Sequence, residues 1–256
     1  MLPIDPPKVA QDIIGFIKDT FAREGFTRGV IALSGGVDSS ACCTLACRAL
    51  GKDNIFPMLL PYGNLNPQGG EDAFALVDFL GIPRENTVTI DIKPLVDAIL
   101  VYGPSLDHIR SGNVMARIRM ILVFDQAKRR EALVLGTENK SEFLLGYFTR
   151  FGDAASDVEP LIDLYKTQVY QLARYLEMPQ PIITKQPTAG LWEGQTDEAE
   201  FGFTYAQADE ILYLMHDEKK SDEEIAGKGF EMEVIKKVKG WLSRHDYKHR
   251  VPYVPK

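Results

Sequence analysis

A short apolar segment that runs into a glycine-rich polar turn constrains the fold of this chain more than any other feature. Residues 29–33 are apolar, residues 34–39 read Ser-Gly-Gly-Val-Asp-Ser, and residues 39–50 form a run of small side chains that stops at Gly51. This order predicts a buried strand, a tight turn and a helix. Glycines let backbone N–H groups approach a ligand closely, and a helix N-terminus favours an anion. The segment therefore predicts a phosphate-binding loop at the end of a strand.

The side chains of this loop indicate which ligands it could bind. The hydroxyl groups of Ser34, Ser39 and Ser40 can donate hydrogen bonds to phosphate oxygens. Asp38 would repel a phosphate, and this conflict disappears if Asp38 binds a Mg²⁺ ion that bridges to the phosphates. The loop has no lysine and so differs from the Walker motif. The alternative is a plain strand-to-helix turn with Asp38 near the helix start.

Hydrophobic periodicity over the rest of the chain predicts the fold class. Further helices are expected over residues 9–21, 70–80, 108–130, 168–176, 206–215 and 231–242, and further strands over 55–60, 87–90 and 132–135. Alternating strands and helices are typical of an α/β fold in which helices flank a parallel sheet. The last helices add a C-terminal helical region. No linker divides the sequence, so residues 1–256 are expected to form a single domain.

Two segments carry further expectations. Residues 120–124, in the middle of the longest predicted helix, are apolar nearly all round. This helix should therefore be buried on more than one side, either in the core or at a subunit interface. Residues 186–203 contain several glycines and acids and are too long for a routine connection. They are predicted to form a mobile lid.

Composition restricts the environment and the partners. The chain has 256 residues and a formal net charge of −7, so it lacks the diffuse positive field that drives non-specific binding to nucleic acid. Its cysteines, Cys42, Cys43 and Cys47, share one apolar stretch and are expected to pack in the core rather than form disulfides. The sequence has no signal peptide and no apolar stretch long enough for a membrane span. A cytoplasmic protein without a membrane or nucleic-acid partner is expected.

Several motifs together resemble a known enzyme family. The segment SGGVDS at 34–39 resembles the pyrophosphate loop of the N-type ATP pyrophosphatases. Within that superfamily, GNVMARIRM at 112–120, GTENKSE at 136–142 and GYFTRFGD at 146–153 are similar to motifs of the NAD synthetases. The resemblance extends over residues 9–252. It implies a Rossmann-like fold of the adenine nucleotide alpha hydrolase type.

The resemblance implies an ATP-dependent amidation of deamido-NAD. In that reaction the nicotinate carboxylate attacks the α-phosphorus of ATP, and ammonia then displaces AMP from the NAD-adenylate to give NAD. Mg²⁺ is the implied cofactor, ATP a co-substrate and a homodimer the implied assembly. Glutamine-dependent relatives carry an additional N-terminal domain with a nucleophilic Cys, whereas residues 1–33 contain no Cys. Free ammonia is therefore the expected nitrogen donor, and no glutaminase domain is expected.

The resemblance also assigns site residues. For ATP it implies the loop and three later side chains, namely Ala32, Leu33, Ser34, Gly35, Gly36, Val37, Asp38, Ser39, Thr137, Lys166 and Thr188. For deamido-NAD it implies Arg117, Arg150, Asp157, Lys248 and His249. The implied Mg²⁺ ligands are Asp38 and Glu142, which follow two predicted strands and so share one edge of a parallel sheet.

Some of these residues have a second interpretation. Lys166 taken alone would be a solvated lysine at a helix start, and Arg117 an exposed partner for helix acids. Arg150 stands where the family usually has Lys, so the charge is kept while the geometry changes. Many members have the order His-Lys-Arg in the tail, whereas this chain has Lys248-His249-Arg250.

Two other functions stay open. One is a tRNA-modifying ATP pyrophosphatase of the same superfamily. Such an enzyme would be expected to have a basic face and often a catalytic Cys pair or a zinc cluster. The net charge of −7 argues against it. A non-catalytic nucleotide-binding module would bind ATP without needing the two carboxylates.

Overall fold

The computed structural model describes residues 2–103, 107–250 and 252–255, which contain a four-stranded parallel sheet. The strands are β1 (Arg28–Ala32), β2 (Ile55–Leu59), β3 (Val88–Thr89) and β4 (Ala132–Leu135). They pair in the order β3-β2-β1-β4, and a parallel bridge between Leu135 and Val158 extends the edge beyond β4. Because the strands are parallel, the turns that follow β1, β2 and β4 lie at one edge of the sheet.

Helices precede, connect and follow these strands. In chain order they are α1 (Pro6–Glu24), α2 (Val37–Leu50), α3 (Pro67–Leu80), α4 (Lys93–Leu100), α5 (His108–Arg130), α6 (Lys140–Leu145), α7 (Lys166–Tyr175), α8 (Gln180–Thr184), α9 (Asp197–Phe201), α10 (Tyr205–Leu212), α11 (Asp222–Ala226) and α12 (Met232–His245).

The predicted α/β class with a C-terminal helical region is confirmed. The predicted bounds of α5 and β4 coincide with the observed ones. The periodicity does not predict α4, α6, α8 or α11, because each is at most eight residues long and a helical period needs several turns to be recognised.

Caps and glycines determine where the helices begin and end. The Asp5 carboxylate accepts a hydrogen bond from the Lys8 N–H at the start of α1, and Gly25 ends that helix with a φ of 77°. Gly81 ends α3 in the same left-handed conformation. The start of α2 differs, because its N-cap Gly36 offers no side chain to accept a hydrogen bond. No capping side chain therefore occupies the first N–H groups of α2, which face the edge of the sheet where β1 ends.

Two hydrophobic cores cover the two faces of the sheet. Successive residues of β1 point to opposite faces, so Ile31 packs with Phe21 and Leu45 of α1 and α2, while Val30 packs with Val123 of α5. The apolar sequence of β1 is explained by this burial on both faces.

A third core belongs to the C-terminal helical region. Leu145 of α6, Tyr165 before α7, Ile211 of α10 and Ile235 of α12 are buried together. Since α6 follows closely on β4, this region packs against the edge of the sheet that carries the phosphate-binding loop. It therefore supports the elements on which Glu142 and Lys166 are placed.

In the single chain α5 is buried on one side only, so its apolar centre is not all core, and burial of the other side at a subunit interface stays a prediction. Val123 is buried against the sheet, but Ile121 and Ile109 are 55% and 64% exposed. A helix presents only one side to the sheet that it covers, so the opposite side of α5 lies in solvent although it is apolar.

Among the described residues, no helix combines the length and the apolarity that crossing a membrane requires.

The segment 186–203 is more ordered than the predicted loop. It contains α9, and its side chains Gln195, Asp197 and Phe201 are at most 8% exposed. The prediction of a lid did not include this local structure, which hydrogen bonds within the segment and to the helical region stabilise. Its mobility stays a prediction.

The tip of this segment docks on the start of α5. A Cβ at Gly112 would lie 2.7 Å from Cδ1 of Leu191, so a glycine is needed for this close approach. Next to it, the rings of Trp192 and His108 stack with centroids 5.7 Å apart. In this structure the tip of the segment thus contacts the helix that carries Arg117.

The cysteines of α2 pack in the hydrophobic core, as predicted. Cys42 and Cys43 are fully buried, Cys47 is partly buried, and all three are free thiols. The Cys42 thiol donates to the carbonyl oxygen of Gly136 at 3.2 Å, which connects α2 to the residue after β4. Burial raises the pKa of the Cys42 thiol well above its usual value.

Gly35 generates a prediction about the stability of the phosphate-binding loop. Its φ is 75°, and a Cβ there would lie 2.2 Å from the carbonyl oxygen of Gly69 in α3. We expect Gly35→Ala to lower the free energy of unfolding by about 2 kcal/mol or more, because a left-handed backbone and a clash with rigid backbone act together.

The matched control is Gly70→Ala, since an added Cβ at Gly70 would meet nothing within 4 Å. It should change the free energy of unfolding by less than about 1 kcal/mol. Urea unfolding followed by circular dichroism measures both variants, and equal effects at the two positions would contradict the prediction.

Candidate active site

Hydroxyl groups hold the phosphate-binding loop between β1 and α2 in shape. Ser39 Oγ accepts a hydrogen bond from the Ser34 N–H at 3.3 Å, lies 3.0 Å from Ser34 Oγ, and donates to the Gly36 carbonyl oxygen at 3.3 Å. Ser34 Oγ accepts from the Gly36 N–H at 3.2 Å. The loop therefore keeps its conformation through its own side chains. Ser40 is fully buried behind it, so its hydroxyl does not face the surface of the loop.

The remaining loop residues have different roles. Ala32 ends β1, and the side chains of Leu33 and Val37 point into the core. These three residues therefore contribute their backbone to the loop surface. Asp38 is in the first turn of α2 and points toward the residues that follow β4.

An ammonium group between two carboxylates forms the centre of the site. Lys166 Nζ lies 2.6 Å from Asp38 Oδ2 and 2.9 Å from Glu142 Oε1. Asn139 donates from Nδ2 to the other oxygen of Asp38 at 3.0 Å. These contacts bring together the starts of α2, α6 and α7. The predicted neighbours Asp38, Glu142 and Lys166 are thus adjacent in the fold.

Hydrogen bonds at the starts of α6 and α7 determine where Glu142 and Lys166 lie. Asn139 and Glu142 form a capping box at the start of α6, in which the Glu142 N–H donates to Asn139 Oδ1 at 3.0 Å. The first N–H of α7, that of Lys166, donates to Ser141 Oγ at 2.8 Å. Short-range capping therefore fixes the backbone from which Glu142 and Lys166 extend.

Burial makes the charge balance of this cluster energetically important. Lys166 is 3% exposed, so the interpretation as a solvated lysine at a helix start is wrong. Burial alone would lower the pKa of the Lys166 ammonium, but the carboxylates of Asp38 and Glu142 reverse this effect and raise that pKa well above its usual value. Lys166 is therefore a permanent positive charge at the site.

The carboxylates also fit the needs of a magnesium ion. Asp38 and Glu142 direct one oxygen each toward a single point, which Lys166 Nζ occupies. Magnesium is commonly held by one or two carboxylates together with substrate phosphates, rather than by a complete set of protein ligands. In the described parts of the chain there is no group of three or more His, Cys, Asp or Glu residues arranged to hold a metal. The pair Asp38 and Glu142 thus fits a metal that phosphates help to bind.

Two of the residues assigned to deamido-NAD, Arg117 and Arg150, form a second group with the tail. Arg117 of α5 donates from Nη2 to the carbonyl oxygen of Arg150 at 3.3 Å. The guanidinium carbon of Arg150 lies 5.4 Å from the centroid of the Tyr247 ring. Arg117 is exposed, and its contact is with the loop after α6 rather than with an acid of its own helix. Two arginines are thus brought together at the surface, where they could bind anionic groups.

The tail residues contact this same loop through its backbone. Lys248 Nζ donates to the carbonyl oxygens of Gly146 and Phe148 at 2.7 Å each. His249 Nε2 lies 2.6 Å from the carbonyl oxygen of Phe143. Burial lowers the pKa of the Lys248 ammonium. In this structure both side chains attach the tail to the segment that leads to Arg150, and their contact with a dinucleotide stays a prediction.

The other predicted residues lie around the two groups. Asp157 is exposed, and its Oδ2 accepts from the Val134 N–H of β4 at 2.7 Å. Thr137 follows β4 directly, at the same edge of the sheet as the phosphate-binding loop. Thr188 is exposed, and its hydroxyl donates to the Gln195 carbonyl oxygen at 2.7 Å within the folded segment 186–203. Their contacts with substrates stay predictions.

Sequence reasoning missed two polar contacts of the phosphate-binding loop. Asn139 is fully buried and holds Asp38, and its position between Thr137 and Glu142 in the GTENKSE motif was the available signal. Lys185 pairs with the buried Asp72 of α3, and its Nζ lies 3.5 Å from the Gly35 carbonyl oxygen. No local sequence pattern predicts the contacts of Lys185, because Asp72 and Gly35 are far from it in the sequence.

Two carboxyl groups near the end of β4 were also missed. The Glu138 N–H donates to Glu159 Oε2 at 3.1 Å. A Cβ at Gly136 would lie 1.8 Å from Glu159 Oε1, which explains why glycine opens the Gly-Thr motif. Burial raises the pKa of Glu159 to about 7 and that of Glu138 to about 9. Glu138 therefore carries a proton at neutral pH.

Comparisons with known proteins agree with this geometry. The family model described as NAD synthase matches residues 9–252 of the chain. An NH₃-dependent NAD⁺ synthetase of Pyrococcus furiosus is 45% identical over 251 residues, which are 97% of this chain and 94% of that protein.

Solved structures give the same result for the fold. A structure described as NMN synthetase from Francisella tularensis superimposes with a TM-score of 0.88 and 32% identity, over 99% of this chain and 100% of that one. An NH₃-dependent NAD synthetase from Campylobacter jejuni superimposes with a TM-score of 0.83 and 30% identity, again over 99% and 100% of the two chains. The match of the family model over nearly the whole sequence, together with these relatives, shows that the chain belongs to the NAD synthase family.

Proposed function

We propose that this member of the NAD synthase family amidates deamido-NAD with ammonia and ATP, and releases NAD, AMP and pyrophosphate. The observation that carries the proposal is the buried Lys166 ammonium between Asp38 and Glu142, beside the uncapped start of α2. This arrangement concentrates a positive charge, two potential metal ligands and backbone donors at one point, as cleavage of ATP requires. The names of the relatives support the choice of substrates.

The proposed reaction consists of two displacements. In the first, an oxygen of the nicotinate carboxylate attacks the α-phosphorus of ATP, and the bond to pyrophosphate breaks. The loop N–H groups and the Lys166 ammonium stabilise the charge on the departing pyrophosphate. In the second, ammonia attacks the carbonyl carbon of the adenylate and loses a proton, and AMP leaves with the bonding electrons. Adenylation is needed because a free carboxylate has no good leaving group.

We assign the metal to the two carboxylates of the cluster. Asp38 and Glu142 would hold Mg²⁺ together with phosphate oxygens of ATP. The ion would neutralise phosphate charge during the first displacement. For both carboxylates to turn to a metal, the Lys166 ammonium has to leave its position between them, and the incoming phosphates offer it a new anionic partner.

We assign the dinucleotide to the surface formed by Arg117, Arg150 and Asp157. The two arginines supply positive charge for its phosphates or its carboxylate, and Asp157 is an acceptor for its hydroxyl groups. Lys248 and His249 support this surface through the backbone carbonyls that they contact. That residues 1–256 form a single domain stays a prediction. Ammonia is the proposed donor because the relatives are named NH₃-dependent NAD synthetases.

We also propose that the chain forms a homodimer through its α4–α5 face. Apolar side chains with at least 44% exposure lie on α4, on the turn after it and on α5, namely Leu95, Ile99, Val101, Tyr102, Ile109 and Ile121. An exposed apolar group of this kind is typical of an interaction surface, and two-fold dimers are the commonest assemblies. The proposal takes up the expectation that residues 120–124, the apolar centre of α5, lie at a subunit interface.

A cytoplasmic location and the lack of a nucleic-acid partner stay predictions of the sequence.

The proposed function is tested by an assay for NAD with deamido-NAD, ATP, Mg²⁺ and ammonium chloride. We expect NAD, AMP and pyrophosphate in equal amounts, and little product when glutamine replaces ammonium. Asp38→Asn and Glu142→Gln should each lower kcat/KM for ATP on the order of 100-fold, because each removes a charge that positions the metal and phosphates.

Other outcomes of this assay favour other functions. AMP formation that depends on tRNA and ignores deamido-NAD would indicate a tRNA-modifying enzyme, and ATP binding without turnover a nucleotide-binding module. Nicotinate mononucleotide is included as a substrate, since one structural relative is named an NMN synthetase. Turnover that survives both substitutions would contradict the metal assignment.

The Lys166 cluster generates a prediction that needs no substrate. Lys166→Met leaves two partly buried carboxylates without their cation, so we expect the free energy of unfolding to fall by about 3 kcal/mol. Mg²⁺ should restore much of this loss, because it can take the place of the ammonium. Wild-type protein should respond much less to Mg²⁺ in the absence of ATP. Thermal unfolding with and without Mg²⁺ measures the effect.

The control is Lys220→Met, which removes an exposed lysine paired with Glu224. Its free energy of unfolding should change by less than about 1 kcal/mol and should not respond to Mg²⁺. Equal stabilisation of the wild type and Lys166→Met by Mg²⁺ would contradict the assignment of the metal to Asp38 and Glu142.

The proposed interface predicts a change of assembly on a charge substitution. Ile121→Asp places a carboxylate in the middle of the apolar α5 face, so we expect it to shift a dimer to a monomer in analytical ultracentrifugation. Phe79→Asp on α3 is the control, because Phe79 is also exposed, at 51%, but lies outside this face. A wild-type monomer, or a dimer that survives Ile121→Asp, would contradict the proposal.

A further inference from the structure

The helix α9 contains a buried carboxylate that the proposed chemistry does not use. Asp197 is 3% exposed. Its Oδ1 accepts hydrogen bonds from Tyr147 Oη at 3.2 Å and from the Ala189 N–H at 3.1 Å, and its Oδ2 accepts from Tyr205 Oη at 3.1 Å. A buried charge with three donors costs much less than an unpaired one, so this carboxylate holds its donors firmly in place.

The three donors come from three different parts of the site. Ala189 follows Thr188, and the Asp197 N–H also donates to the Pro187 carbonyl oxygen at 3.1 Å, so Asp197 holds the chain on both sides of Thr188. The donor Tyr147 begins the loop that leads to Arg150.

The third donor leads to the central cluster. The centroid of the Tyr205 ring lies 5.2 Å from Lys166 Nζ. The Tyr205 hydroxyl is fixed by Asp197, so the ring that faces Lys166 is fixed as well. The negative charge of Asp197 also favours the ammonium of Lys166, as the charges of Asp38 and Glu142 do.

Neighbouring polar groups reinforce this arrangement. The single proton of the Tyr147 hydroxyl is shared between Asp197 Oδ1 and Glu200 Oε1, which lies 2.8 Å from Tyr147 Oη, and Gln195 Nε2 donates to the same Glu200 oxygen at 2.7 Å. The Gln195 carbonyl oxygen accepts from Thr188. Asp197 thus contacts the segment around Thr188, Tyr147 at the start of the Arg150 loop, and the Tyr205 hydroxyl, whose ring faces Lys166.

We propose that Asp197 is a positioning residue that holds the Thr188 segment, the Arg150 loop and Lys166 in one arrangement, so that the ATP and dinucleotide sites form together. It touches no reacting atom. The inference rests on the proposed function, because it names Thr188 as an ATP contact and Arg150 as a dinucleotide contact. It goes further in assigning a shared support to the two sites.

The test compares Asp197→Asn with Glu193→Gln, an exposed acid of the same segment. Asp197→Asn keeps the size of the side chain but replaces an acceptor with a donor and removes the charge. We expect kcat/KM for both ATP and deamido-NAD to fall about 10- to 100-fold, with both KM values raised. Glu193→Gln should stay within about twofold of the wild type.

The pattern of KM and kcat separates positioning from a purely structural role. A variant that only loses folded protein shows a lower apparent kcat and unchanged KM values. Unchanged KM values for both substrates would overturn the proposal. A rise in the KM for ATP alone would also overturn it, because Asp197 would then support Thr188 but not the Arg150 loop.

A second measurement does not depend on activity. We expect chymotrypsin to cleave the 186–203 segment near Leu191 and Trp192 about tenfold faster in Asp197→Asn than in Glu193→Gln, since opening of the segment becomes easier. Equal cleavage rates would overturn the proposal even if the wild type forms no NAD. Absence of NAD formation by the wild type would instead contradict the proposed function, so the two failures are distinguishable.

If Asp197→Asn does not fold, single removal of its donors replaces it. Tyr147→Phe and Tyr205→Phe each delete one hydroxyl and leave the ring in place. We expect each to raise both KM values several-fold, and the double variant to lose less than the product of the single losses, because the two act through one carboxylate. Losses that multiply would overturn the proposal.

Discussion

The contact of one buried ammonium with two carboxylates is the constraint on which the rest of the site depends. Asp38, Glu142 and Lys166 are on three helices that begin near one edge of the sheet, and each charge is tolerated there only because the others are present. The parallel sheet supplies the geometry, since β1 and β4 end side by side. The helical region supplies the burial. Neither part of the fold would produce this cluster alone.

The elements that can be predicted from the sequence are those set by neighbouring residues. The phosphate-binding loop, the ends of α5 and β4, and the end of α2 before Gly51 follow from local composition and capping. Site residues on strand ends could be predicted too, because a parallel sheet brings those ends together. Asp38 and Glu142 are examples. The family resemblance assigned the rest.

What could not be predicted depends on contacts between distant residues. Lys166 and Asp38 are 128 positions apart, and local pattern alone suggested a solvated lysine. The order in segment 186–203 depends on Asp197, whose tyrosine partners lie 50 positions before it and eight positions after it. The exposure of Ile121 depends on which side of α5 the sheet covers, and an apolar sequence does not distinguish a core from an interface.

The buried thiols of α2 give the protein a property unrelated to its chemistry. Cys42 and Cys43 have no exposed surface, and burial keeps the Cys42 thiol protonated. A thiol reagent or an oxidant needs an accessible thiolate, so it can react only after α2 has moved away from the sheet. Since α2 begins at the phosphate-binding loop, the rate at which these thiols react reports how often that loop comes apart. The chain thus carries an internal probe for the local opening of its own nucleotide site.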